Sequence, residues 1–589
     1  MTGGKRLGAR WISRALVVGF ATLGLGACAS GGETPTAATN ATAAQMRIAL
    51  APIDSPLGSY LAGRVARHER DMAAAARYFA RALAADPDNV NILRQAYLSL
   101  LSEGRMEEAT RLAKRVVELR PRAPIAGLTV VIDRVRAGDF EAARKTVETL
   151  PNQGYNTLLA PLISAWIASA QGRYADAFET LGNLNQSAAF TVFREYHAAL
   201  IHDIAGNDDL AEAAYRRALG AQRSGSFRVV SAFGAFYERT RRPDKARALY
   251  DDYLKNKPDS LWLTPALDRL ARGGKPERLV RDAREGVAEA LVGTASALNR
   301  ENALDAALIY VRLALYLRPG FDVADLLLGE ILDGLREPGR AIAAFESVPA
   351  SSPLRWSAEL RVAADLDDLG RTDEAIARLN RMASERTDRA DALIALGDIL
   401  RGRERWDEAV DAYDRALARV NVRDRRHWRP LYARGISLER SKHWKRAEKD
   451  FLAALDLVPD QPFVLNYLGY SWVDQGINLD RALKMIERAV ELRPRDGYII
   501  DSLGWAQFRL GDYANAVTQL ERAVELQPND PTINDHLGDA YWRAGRRIEA
   551  RFQWRRALVL APTDQGMTTR IERKLRLGLP QDAVADGSG

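Results

Sequence analysis

Prolines 494, 528 and 562 stand 34 residues apart, and the residues between them repeat in kind as well as in distance. Leu503-Gly504 leads to Ala516, Leu520, Ala523 and Pro528, while Leu537-Gly538 leads to Tyr541, Ala550, Trp554, Ala557 and Pro562. The spacing predicts two antiparallel helices per unit. Gly504 and Gly538 carry no side chain to hold a neighbouring helix away, Ala516 and Ala550 do the same for the second helix, and Leu520 and Trp554 fill the gap between units. Proline has no amide hydrogen to continue a helix, so Pro528 and Pro562 end each unit. A single such pair cannot bury its apolar face alone, so the units must stack.

A 34-residue period with Leu-Gly, Ala, a large apolar residue, Ala and Pro at fixed offsets resembles the tetratricopeptide repeat. The resemblance implies an all-α solenoid, a right-handed superhelix of antiparallel helix pairs. Plentiful alanine and leucine and scarce β-branched runs favour the same class. At 589 residues the chain exceeds one ordinary globular core, but a solenoid grows without that limit.

The period runs along most of the chain. Folding is expected to start near Pro56. Ala75, Phe79, Ala82 and Pro87 match the second half of a unit, and Pro121 closes the next. From about 125 to 290 the pattern is eroded. Gly138-Asp139-Phe140, Gly172-Arg173-Tyr174 and Gly206-Asn207-Asp208 still read as a helix stop followed by a new start, but the Leu-Gly half is poorly kept. A bend, a loosened stretch or a domain boundary at Gly273-Gly274-Lys275-Pro276 would each produce this. The period returns with Ala307, Val311, Ala314 and Pro319, and later with Gly435, Ala447, Phe451 and Pro459. The organisation expected is N-terminal repeats over 46–272, middle repeats over 273–461 and a well-kept block over 462–564. A capping helix over 565–579 and a disordered tail over 580–589 complete it, and about fourteen or fifteen repeats fit the length.

The single cysteine, Cys28, excludes intramolecular disulfides and a cysteine-based metal site. Its context is a basic start, the apolar run 15–25 and Leu25-Gly26-Ala27-Cys28, which is the layout of a secretory signal over 1–27. This resembles the lipobox of bacterial lipoproteins, which implies that Cys28 carries the lipid, palmitate included, and that 28–45 is a flexible tether. The residue after Cys28 is Ala29 and not aspartate, so the family rule points to the outer membrane, facing the periplasm. With Lys5, Arg6, Arg10 and Arg14 removed, 80 basic and 77 acidic residues leave a charge of +3, which gives no argument for nucleic acid.

Enzyme signatures are missing: no His-Glu-x-x-His, no Gly-x-Ser-x-Gly, no phosphate-cradling glycine loop and no Cys-x-x-Cys. His197 and His202 fall on different faces of a helix, so no metal or cofactor is expected. The reading is a noncatalytic binding scaffold. In the family, the first helix of each repeat lines the groove, at its second, fifth, ninth, twelfth and thirteenth positions. These are Phe463, Asn466, Tyr470 and Asp474; Tyr498, Asp501, Trp505, Phe508 and Arg509; and Asp535, Asp539, Trp542 and Arg543. Aromatic rings give contact area at low entropic cost and the polar groups fix register. Tyr470, Trp505 and Trp542 either face the groove or pack between helices, whereas Trp472 and Tyr541 are assigned to packing. The lysine/asparagine set that clamps a terminal carboxylate is missing, with Asn466 a lone partial match.

A lipobox, a tether, many repeats and a C-terminal block with Asn-Tyr-Leu-Gly-Tyr (466–470) and Asp-Ser-Leu-Gly-Trp (501–505) together resemble one family in particular. These are the proteobacterial outer-membrane lipoproteins that act as adaptors for a periplasmic carboxyl-terminal processing protease. The resemblance implies a protein that binds the protease and presents cell-wall (peptidoglycan) hydrolases to it. A repeat scaffold for outer-membrane biogenesis, polysaccharide export or cell division is the alternative.

Overall fold

A computed structural model describes residues 55–580 apart from 187–189, 222–225, 259, 422 and 562–563. The signal segment, Cys28, the tether and the tail from 581 lie outside the described residues. Among the described residues there is no strand, and fourteen antiparallel helix pairs follow one another from Pro56–His68 with Met72–Ala85 to Pro531–Arg543 with Arg547–Leu560. Two further helices, Thr264–Ala271 and Gln565–Leu577, have no antiparallel mate. No described helix is long and apolar enough to cross a membrane.

The repeat containing Gly497–Arg509 and Tyr513–Leu526 shows how the sequence builds each unit. Gly511 takes the left-handed conformation, φ 82°, at the turn, and the Asp512 side chain caps the second helix by accepting from Asn515 N at 3.3 Å. A Cβ on Gly504 would lie 2.6 Å from Leu520 Cγ, so the glycine is a steric requirement. The same contact recurs between Gly397 and Tyr413 and between Gly435 and Phe451, each at 2.6 Å, and between Gly538 and Trp554. The large residue thus closes first on the glycine of its own repeat, besides filling space toward the next.

The eroded stretch is neither loose nor extended. Helix pairs continue through it, and one apolar core runs without a break from Ala76 to Ala416. The chain does leave helical structure at Gly273–Val280, but the next helix, Ala283–Arg300, returns to the repeats already built. It packs on Pro124–Ala137, Asn156–Ala170 and Thr191–Ala205, which are successive first helices, so it lies along their shared inner face. Its mate, Leu304–Leu317, packs on Val90–Glu103 and Pro124–Ala137. The N-terminal half therefore fills its own curve with the hairpin 283–317. This explains the lost pattern: first helices covered on both sides need apolar residues all round, and Asn156–Ala170 buries Leu158, Leu159, Leu162, Ile163, Trp166 and Ile167.

Several polar groups trapped by this closure are paired, while Arg312 Nε on the hairpin and Tyr215 Oη have no hydrogen-bond partner among the described residues. Arg228 Nε donates to Glu289 Oε1 at 2.9 Å and Tyr196 Oη to the same atom at 3.2 Å. Burial raises the Glu289 carboxyl, but Arg228 outweighs it and holds the group below the usual carboxylate range. Trp166 Nε1 donates to His197 Nδ1 at 2.9 Å, and burial lowers that imidazole to about 4, so it is neutral. At the rim, Tyr316 Oη donates to Asp133 at 2.9 Å and Arg340 Nη2 to Ser102 O at 2.9 Å.

Gly286 meets the Trp166 ring face, with no room for a Cβ. Gly286→Val should therefore cost at least about 1–3 kcal/mol, as overpacking does. Gly339→Ala, at a helical site with nothing within 4 Å, should be neutral or stabilise by up to about 1 kcal/mol. Urea denaturation of the two variants measures both, and equal stabilities would refute the filled-curve arrangement.

Candidate protein-binding surface

The inner wall of the C-terminal block is made by the first helices Trp428–Arg440, Pro462–Gln475, Gly497–Arg509 and Pro531–Arg543, which pack side by side. Neighbouring first helices are one period apart, so polar side chains on their inner edges meet at a separation of one repeat plus one residue. Arg509 Nη1 donates to Asp474 at 3.3 Å, His536 Nδ1 lies 3.0 Å from Asp501 Oδ1, and Lys574 Nζ donates to Asp539 Oδ2 at 2.8 Å. Each pair is 35 residues apart in sequence. The same rule links Trp356 to Asp391, 35 apart, at 2.8 Å. The acids and bases expected to face a partner thus hold the wall together.

The aromatic residues divide. Tyr498 stands in solvent, 56% exposed. Phe463 is half-buried, with the Arg493 guanidinium 4.7 Å above its ring. Tyr470 is half-buried, and burial together with Asp501 and Asp474 raises its hydroxyl pKa. Trp505 lies between Phe508 and His536, at 4.8 and 4.1 Å, and keeps part of its surface open. Phe508 is a correction: it is 3% exposed and packs between Trp505 and Tyr513, so it supports the wall from behind. Asn466 is half-buried and its Oδ1 has no hydrogen-bond partner among the described residues. Trp472 and Tyr541 are buried, donating to Glu448 at 2.6 Å and Glu521 at 2.7 Å.

The wall of the last repeat is covered by the chain itself. Helix Gln565–Leu577 starts where the Asp564 side chain accepts from Met567 N at 2.8 Å, and it delivers Lys574 between Asp535 and Asp539. Asp539 also accepts from Trp554 Nε1 at 2.8 Å. Burial pushes Asp539 up to about 6 against the pull of Lys574. Gly578 seats on the Trp542 ring, and Arg543 Nη2 donates to Pro580 O at 2.6 Å. Asp535, Asp539, Trp542 and Arg543 therefore anchor the cap and are corrected from open groove positions: the two aspartates are buried, and Trp542 and Arg543 are half-buried against the cap. The open part of the wall comprises Phe463, Asn466, Tyr470, Tyr498 and Trp505, with Arg509 held in its pair with Asp474.

Reading the sequence missed His536 and Lys574. The signal was available: both complete an acid–base pair at the 35-residue offset. Elsewhere, one carboxylate cluster among the described residues, Asp333, Asp365 and Asp368, has ligand atoms within 4.8 Å of one another, apart from this wall.

Comparison with known proteins gives family-model matches described as "TPR repeat" over residues 504–545 and "Tetratricopeptide repeat" over 360–423. The fold is a tetratricopeptide-repeat solenoid. A TPR repeat-containing protein of Pseudomonas aeruginosa is 29% identical over 200 residues, which is 33% of this chain and 32% of that protein. The match thus spans about a third of the relative's length. Among solved structures, the APC/C hetero-tetramer Cut9-Hcn1 is 16% identical with a TM-score of 0.36, covering 90% of this chain and 98% of that one. YrrB, described as a TPR protein with an unusual peptide-binding site, is 20% identical with a TM-score of 0.27, covering 33% of this chain and 97% of its own. No catalytic family is indicated for these tetratricopeptide repeats.

Two tests follow from the wall. Lys574→Met strands two buried carboxylates and should cost about 3–5 kcal/mol. Because burial raises the Asp539 pKa, that loss should deepen as the pH rises through about 6. For His536, burial pulls the pKa down but Asp501 outweighs it, leaving the pKa above its ordinary value. Its contribution is therefore full below the unfolded value of about 6.5 and fades as the pH rises through the higher folded value. Denaturation between acid and alkaline pH should show that fading in the parent and not in His536→Gln.

Proposed function

We propose that this tetratricopeptide-repeat protein is a noncatalytic scaffold that holds protein partners on the inner wall of its C-terminal block. The observation that carries this reading is a contrast in coverage. The N-terminal first helices are covered by the hairpin 283–317 and the last repeat by its own cap. The helices Trp428–Arg440, Pro462–Gln475 and Gly497–Arg509 pack on neighbouring repeats, and among the described residues their inner face is clear. That clear stretch is where half-exposed rings stand beside Asn466, a mixture suited to an extended peptide.

The finer proposal is an adaptor anchored to the outer membrane through lipid on Cys28, facing the periplasm. It brings a carboxyl-terminal processing protease to peptidoglycan hydrolases. Its support is the lipobox Leu25–Cys28 and the block 465–542. The filled N-terminal half fits this role as a stiff spacer between tether and grip.

Affinity purification of the tagged mature protein from crosslinked cells tests the adaptor. The protease and cell-wall hydrolases should dominate the recovered proteins, and Tyr498→Ala should reduce their recovery at least tenfold without changing thermal stability. Envelope-assembly machinery in their place, with no protease, would overturn the adaptor and leave the scaffold. Cys28→Ala should release the folded protein from membranes, and its continued fractionation with the outer membrane would defeat the anchor.

A further inference from the structure

The outer face of the last repeat departs from every repeat before it in the C-terminal block. On helix Arg547–Leu560, Ile548 is 84% exposed, Phe552 62% and Val559 78%. At about 100° per residue the three lie within roughly 40° of one another, and they span about 16 Å of helix. The buried residues Ala550, Trp554 and Ala557 fix the register, because Ala516 and Ala482 are the counterparts of Ala550. The equivalent positions one repeat earlier are Ala514, Thr518 and Glu525; two earlier, Asp480, Lys484 and Glu491; three earlier, Lys445, Lys449 and Asp456. All nine are exposed. Those repeats have neighbours on both sides, so these positions face outward throughout the solenoid. The stripe is therefore not a stacking edge left bare where the repeats stop. A large isoleucine, phenylalanine and valine row in solvent, where the fold tolerates Asp, Lys, Glu and Thr, marks a contact surface.

The surroundings specify what it contacts. Residues 543–577 hold ten basic side chains against the acids Glu549, Asp564 and Glu572, while the rest of the mature chain is close to neutral. Arg555 sits within the stripe itself, and Arg551 and Arg556 flank it. A second copy of this chain would bring the same arginines together and be repelled. We propose that this outer face docks an amphipathic helix of a partner protein, its apolar ridge seated on Ile548, Phe552 and Val559 and its flanks acidic. The site is separate from the inner wall and stands or falls independently of what that wall binds.

The test uses the full mature chain and a synthetic 18-residue helical peptide with a leucine ridge flanked by glutamates, read by fluorescence anisotropy. The variant Ile548→Ala/Phe552→Thr/Val559→Glu installs the residues of the preceding repeat, so it should keep the parent's thermal stability. Expected is at least tenfold weaker binding of the glutamate peptide by that variant and by Arg555→Glu. A peptide with the same ridge and lysine flanks should also bind the parent at least tenfold more weakly, and salt should weaken the complex. Equal binding by parent and variants, or equal binding of the two peptides, would overturn the proposal. So would a parent dimer in sedimentation that the triple variant abolishes. Binding of phosphatidylglycerol vesicles without binding of the peptide would replace the partner helix by a membrane.

Discussion

Everything in this molecule rests on how closely two helices approach within one repeat. A glycine on the first helix accepts a large side chain from the second, and the space between them leaves no room for a Cβ. The identity of the large residue is free: Leu520, Phe451, Tyr413 and Trp554 all serve. Where that glycine stands it cannot change, because interiors are close-packed and an added methyl there displaces a whole side chain; the first helices Val90–Glu103, Asn156–Ala170, Thr191–Ala205 and Arg355–Asp368 carry no glycine. Once that distance is fixed, the second helix presents its alanines to the next repeat, and stacking propagates.

The same geometry explains the two different inner faces. A stacked set of first helices offers a concave row whose character the sequence decides. In the N-terminal half that row is apolar and is covered by the chain's own hairpin, whose helix Ala283–Arg300 buries twelve of its eighteen residues. In the C-terminal block the row is edged with charges that pair across neighbouring helices, and no described hairpin returns to cover it. One architecture thus yields a closed half and an open half through the side chains on a single helix face.

Legibility followed contact distance along the chain. The C-terminal block was readable because its contacts join residues about one period apart, so Leu-Gly, Ala and Pro recur in register. The filled curve could not, since the contacts that define it join Arg228 to Glu289, Tyr196 to Glu289 and Asp133 to Tyr316, separated by 61, 93 and 183 residues. A repeat whose inner face is covered loses its pattern, so erosion at 125–290 signalled burial where it read as possible loosening. At the wall, periodicity picks out one helix face, but it does not tell a side chain that faces solvent from one that bonds the next helix. Asp501, Asp539 and Arg543 took the second course because a complementary group stands one repeat farther on or at the cap.

That distinction bears on how an open wall can bind at all. A groove lined with unpaired charges would be costly to cover, since each buried charge must find a partner or lose its solvation. Here Asp474 with Arg509 and Asp501 with His536 are satisfied before anything docks. Docking therefore need not strip and re-pair them, and the contact is left to the rings. The pairs also tie each first helix to the next, so the wall keeps its shape when empty, and a preorganised surface loses less entropy on binding. The charges inside the groove thus act through rigidity, and the rings between them supply the area.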